Sequence, residues 1–287
     1  MQSIIIVKNQ KNITLRGRNT NNIGDNVLFF QFFLFVTRTK TNLTLKLMEI
    51  IFGEKFEKIC LITNKIATVL SSFYFSSRQN LLRLTPQMIF EKTPNSLRTA
   101  FPLLDFMALD GKHINCSHSE DPEIQRFSYC KYKSTNTMLF LILTDLCGKI
   151  IEWELVFGGY TDQTAWRNSK MIKKAIIRFE NIQRKIRIYV DKGFTEIQSN
   201  HNERIEIIRV DRRRENLDFG QTNRGDQSFI DAQNRIPVEN IFAGLFGRNK
   251  KIGKHHWVSS DYYRHYLECA VYFHNNYHNN FRNPNTT

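Results

Sequence analysis

The order of segments along this 287-residue chain predicts an α/β fold, with a mixed sheet of three antiparallel strands then two parallel ones, flanked by helices. Three observations carry that expectation. From Leu104 onward DFMALDGKHI, MLFLILTD and IIEWELVF follow one another with short links, as strands of an antiparallel meander do. KIRIYVD at 185 to 191 and RIEIIRV at 204 to 210 are strand-like and are each accompanied by helix-like stretches. Finally, 41% apolar content is enough to bury one large core, or a core plus a smaller module.

Taken in order, residues 1–25 are rich in Asn and Lys and read as a basic arm. Three helices follow within 26–75: Val27 to Val36, Asn42 to Ile51 before Gly53, and Phe56 to Leu70, where Ile59, Ile62, Ile66 and Leu70 recur at helical spacing. Their arrangement suggests a helix-turn-helix-like DNA-binding module, with Lys55, Lys58, Asn64 and Lys65 as candidate contacts to DNA, or equally a helical subdomain with a solvated basic face. Residues 76–103, with Pro86, Pro94 and Pro102, read as a linker, and 104–287 as the main domain. There the meander turns at CGK, and a helix is expected from Trp166 to Phe179. The polar stretch 211–227 is expected as a loop containing Arg212, Arg213 and Arg214. A helix should open at Pro237, a residue suited to a first turn, with Val238, Ile241, Phe242 and Leu245 as its apolar stripe. A last helix should run from Tyr262 to Tyr277.

Composition narrows the function. The net charge of +14 favours a polyanionic partner, most often nucleic acid. VLFFQFFLFV is ten residues long, where a bilayer span needs about 20, so no membrane role is expected. Five scattered cysteines do not form a secreted disulfide framework, so reduced thiols are expected. His113, Cys116 and His118, like Cys269, His274 and His278, lack the paired spacing of a zinc site.

Three strands, helix, strand, helix, strand, helix is the order of an RNase H-like domain. In it the first strand is central and the fourth pairs beside it, so Asp110 and Asp191, late on those strands, should lie side by side. A helix after the fifth strand can offer Glu239. Acids about 4 Å apart repel by several kcal/mol at an effective dielectric near 20, so such a trio calls for cations. Hard divalent ions with oxygen ligands, Mg²⁺ or Mn²⁺, suit it, and two of them could clamp a scissile phosphate. Singly, each acid has a plainer reading: Asp110 as a turn former before Gly111, Asp162 as a helix cap, and Glu239 as a partner of the helix dipole.

The fragments ALDGKHI, FSYCKYKSTNTMLFLILTDLCGKI, GGYTDQTAWRNS, YVDKGF and RIPVENIFAGL, in this order over residues 104–278, resemble the DDE superfamily endonucleases of PIF/Harbinger-type DNA transposons. The resemblance implies an RNase H-like catalytic domain that cleaves and transfers DNA strands at transposon ends using two divalent ions. It implies catalytic and metal-binding roles for Asp110, Asp191 and Glu239, with Asp162 and Arg235 supporting them. Double-stranded DNA at element ends and target, a Myb-like DNA-binding protein and a second copy of the chain are the implied partners. The implied location is the nucleus. Where relatives usually carry a Lys seven residues after the last acid, this chain has Phe246, and Arg248, Lys250, Lys251 and Lys254 are the candidate substitutes. A catalytically silent, domesticated DNA-binding protein is the alternative reading.

Overall fold

The computed structural model describes residues 21–41, 43–81, 86–170, 185–191, 193–194, 205–210, 227–249, 252 and 261–277. The chain begins with helices α1 (Asn21–Lys40), α2 (Leu45–Phe52), α3 (Phe56–Leu81), α4 (Pro86–Lys92) and α5 (Asn95–Ala100). Strand β1 (Leu104–Asn115) is followed by α6 (Pro122–Ser128), β2 (Tyr129–Cys130), β3 (Thr135–Asp145) and β4 (Ile150–Phe157). Then come α7 (Asp162–Asn168), β5 (Lys185–Asp191), β6 (Ile205–Val210), α8 (Gln227–Arg248) and α9 (Asp261–Tyr277). Among the described residues no helix is long and apolar enough to cross a membrane.

The sheet is mixed, as expected. β3 pairs antiparallel with both β1 and β4, β1 pairs parallel with β5, and β5 pairs parallel with β6. The two-residue β2 adds to the start of β3. Strand β1 is therefore central, and the five main strands run in the RNase H-like order β4-β3-β1-β5-β6. The CGK turn is where the sequence places it: Gly148 adopts φ 92, which a glycine reaches without steric cost.

Several boundaries differ from the expectation, each for a local reason. β5 alternates like a half-buried strand, yet Tyr189 is as buried as Ile188, because helices cover both faces of a parallel pair. Arg187, two residues before Tyr189, lies over the Phe101 ring at 4.8 Å and pairs with Glu206 at 2.8 Å. α8 opens at Gln227, ten residues before Pro237, and runs through it. The proline forgoes one helical hydrogen bond, a cost offset by the unbroken apolar stripe Val238, Ile241, Phe242 and Leu245, all buried. α3 continues to Leu81 and is followed by α4 and α5, so the proline-bearing stretch is largely helical. After Trp166 the helix ends early: α7 stops at Asn168, with the Ser169 N–H on the Trp166 carbonyl. Residues 171–184 lie outside the described chain.

The core has two halves separated by the sheet. On one side Phe106 and Ala108 of β1 and Tyr189 of β5 pack with Val238, Ile241 and Phe242 of α8 and Tyr266 and Leu267 of α9. On the other, Met107 and Leu109 pack with Ile188, Val190, Ala165 of α7 and Ile89 of α4. The amino-terminal helices join the first half. Phe35 of α1 stacks on Tyr266 at 5.6 Å, and Tyr74 of α3 meets Tyr272 edge-on at 5.2 Å. Ser71 of α3 hydrogen-bonds both Glu268 and His265 of α9, the latter at 2.8 Å.

Candidate active site

Strand alternation decides where the acids face. Phe106 and Ala108 point to the α8 side, so Asp110, two residues on, belongs to the same face; Tyr189 does likewise for Asp191. Pairing between β1 and β5 runs up to Leu109 opposite Val190. Asp110 and Asp191 are the next residue on each strand, on adjacent strands spaced about 4.8 Å apart. Asp110 is buried, and one of its carboxylate oxygens accepts the Gly111 N–H at 2.8 Å; Asp191 is half-buried. The register therefore makes these two acids neighbours.

A third carboxylate arrives from the opposite face. At the start of α7 the helix cap is Thr161, whose hydroxyl accepts the Thr164 N–H at 3.2 Å, so Asp162 is not the capping residue. Its carboxylate instead lies against the two glycines that follow the paired acids. A methyl group on Gly111 would stand 3.1 Å from Asp162 Oδ1, and one on Gly193 would stand 2.8 Å from Oδ2. Only residues without side chains allow that approach. The D-G and D-K-G patterns thus have a shared spatial meaning that sequence reading missed, and glycine spacing after each acid was its signal.

Glu239 sits one residue after buried Val238 and one turn before Phe242, on the helix that covers this face. Its side chain is exposed. Because α8 starts at Gln227, Glu239 lies mid-helix, and the dipole of the first turn no longer accounts for it. Among the described residues no three His, Cys, Asp or Glu side chains are gathered closely enough to hold a metal ion. Register thus sets Asp110 and Asp191 on adjacent strands, while Glu239, on the helix covering that face, does not gather with them into the expected three-acid cluster. Lys112, two residues after Asp110 on the same face, is a cation that sequence reading passed over. Its ammonium lies 5.6 Å from the Phe246 ring and 5.8 Å from Phe242.

The basic candidates divide. Lys55, Lys58 and Lys65 are exposed, Lys58 pairing with Glu54 at 2.6 Å. Asn64 turns toward α9, its carbonyl oxygen accepting the Tyr266 hydroxyl at 3.2 Å. α2 and α3 meet at a tight turn in which Gly53, at φ 66, closes α2 with its N–H on the Glu49 carbonyl. Arg212, Arg213, Arg214, Lys250, Lys251 and Lys254 lie outside the described residues, as does the side chain of Arg235, one turn before Glu239 on α8. Burial holds the thiols well above their usual range, Cys116 at about 11 and Cys269 at about 12, so neither is a ready nucleophile.

Comparison with curated proteins finds no match. Among solved structures the chain is similar to one titled the cryo-EM structure of piggyBac transposase synaptic complex with hairpin DNA, at 11% identity and a TM-score of 0.46. That match covers 93% of this chain and 68% of the other, and it is too distant to bear on function. The family model described as DDE superfamily endonuclease matches residues 109–275, more than half of the chain and the whole span from Asp110 through α8 into α9. The chain belongs to the DDE superfamily endonucleases.

Proposed function

We propose that this protein is a metal-dependent DNA endonuclease and strand transferase of a cut-and-paste transposon, of the PIF/Harbinger type that its motifs resemble. The observation that carries the reading is the placement of Asp110 and Asp191 on adjacent parallel strands, each one residue beyond the Leu109–Val190 pair, with Asp162 pressed against the glycines that follow them. DDE superfamily endonucleases generally use divalent metal ions. The donors here are carboxylate oxygens, the ligand set of Mg²⁺ and Mn²⁺. Two such ions, when bound, supply activation of an attacking hydroxyl and stabilisation of the leaving oxygen.

This chain's own residues have distinct parts. Asp110 and Asp191 would hold such ions from the sheet. Glu239, exposed on the covering helix, would supply the third carboxylate. Asp162 and the two glycines fix the backbone beside the acids, and Arg235 supports the helix side. Lys112 holds a scissile phosphate near the acids. The exposed lysines Lys55, Lys58 and Lys65 on the helix-turn-helix-like segment, with Arg212, Arg213, Arg214, Lys250, Lys251 and Lys254, neutralise DNA backbone. Double-stranded DNA is the substrate, the nucleus the location, and a Myb-like protein a partner for target choice.

Nicking of plasmids carrying the element's terminal repeats tests this reading. Cleavage should require Mg²⁺ or Mn²⁺ and vanish in Asp110→Ala, Asp191→Ala and Glu239→Ala while DNA binding persists. Activity retained in all three variants sinks it. A wild-type protein that binds the repeats and never cuts them would mark a domesticated, silent descendant instead.

A further inference from the structure

Helix α1 is apolar on every side. Between Val27 and Thr37 it carries no charged residue. One side buries Leu34 and Phe35, the latter against Tyr266, yet the other leaves Phe29, Phe32 and Phe33 between 40% and 70% exposed. α2 repeats the pattern, burying Met48 and exposing Leu47, Ile50 and Ile51, with Ile50 at 74%. Phe33 meets Phe52 edge-on at 6.0 Å, so the stripe on α1 reaches α2. A helix apolar all round is ordinarily covered all round.

The area is too large to be incidental. Taking a large side chain as burying roughly 150–250 Å², the six exposed residues present roughly 600 Å² of apolar surface. That is the top of the range for the largest patch on a monomer, about 300–600 Å². With adjoining Val27 and Leu28 it approaches the ~800 Å² that each partner contributes to a standard interface.

Charge indicates which partner. A second copy brings its own +14, so two copies can associate only through a face that carries no excess charge. This face meets that condition: its two helices hold one cation and one anion near the patch, Lys46 and Glu49, which two-fold packing can set against each other. The turn after α2 and the first turn of α3 add Glu54, Lys55, Glu57 and Lys58, two of each sign, so no excess charge gathers beside the patch.

We propose that the exposed face of α1 and α2 is an isologous interface between two copies of this chain. Because Phe35 on the reverse of α1 stacks on α9, the interface would join two catalytic sheets in fixed relation. The full-length chain should sediment at micromolar concentration with twice its 34.0 kDa mass. The double substitution Phe29→Glu with Ile50→Glu, at two of the most exposed positions, should halve that mass with the helical circular dichroism unchanged. As a milder variant, Phe29→Cys should cross-link two chains on oxidation, above the background set by half-buried Cys60. A wild-type chain of single mass overturns the proposal, whether residues 1–20 or another protein covers the face, and so does a double variant that stays dimeric. Neither measurement involves DNA, so the outcome is independent of the nuclease reading.

Discussion

At the scale of single residues, the least conspicuous positions of the site are the most constrained. Asp110 within β1 and Asp191 at the end of β5 occupy positions that other residues could also occupy, but Gly111 and Gly193 are spaces into which the Asp162 carboxylate fits. Gly193→Ala puts a carbon 2.8 Å from Asp162 Oδ2, so either that carboxylate or the strand end must shift. Since a misplacement of about 1 Å can cost about 100-fold in rate, cleavage should fall roughly tenfold to a hundredfold with substrate affinity retained. Steady-state kinetics on the nicking substrate, separating kcat from KM, checks this. An unchanged kcat would remove Asp162 from the site.

At the scale of elements, the hairpin between β3 and β4 shows how α9 holds the sheet. His274 Nε2–H donates to the Gly148 carbonyl at 3.0 Å, and the Asn275 side chain brackets Ile150, accepting from its N–H and donating to its carbonyl, both at 2.9 Å. Asp145, fully buried in the turn, accepts the backbone N–H groups of Cys147 and Lys149. Burial lowers the His274 pKa from its ordinary value, because the charged ring would lose its hydration. A base depressed in the folded state contributes stability that is complete above the unfolded pKa near 6.5 and is lost as pH falls through the folded value. Urea midpoints measured between about pH 7.5 and 5.5 should therefore fall more steeply for the wild type than for His274→Gln. Parallel slopes would show that the ring does not titrate in that window.

At the scale of the whole molecule, the amino-terminal helices and the sheet share one core. Phe35, Ala67 and Tyr74 belong to the same buried cluster as Phe106, Tyr189 and Tyr266. Removing the Phe35 ring should cost about 3–5 kcal/mol, as large-to-small core substitutions do, and lower one common unfolding transition. Circular dichroism and tryptophan fluorescence should then shift together on denaturation. Two separated transitions would mean that the helices fold as an independent module. The charge of the whole chain is tested separately. If Lys55, Lys58 and Lys65 contact phosphates, changing all three to Gln should reduce the slope of log affinity against log salt by about 0.9 per contact.

What the amino-acid order determined by itself was the pattern with local causes. Period-two runs marked the main strands, their order implied a central β1 beside β5 and singled out Asp110, Asp191 and Glu239, and the family resemblance added Asp162. Contacts between distant segments were decided only in three dimensions, because no local signal records which face a neighbour will cover. The alternation of β5 could not reveal that helices bury both its faces. The proline at 237 resembled a helix start until packing of Val238, Ile241 and Phe242 carried α8 through it. Likewise the fit of Asp162 against Gly111 and Gly193 joins three separate segments, and only the closing of the sheet brings them within reach of one another.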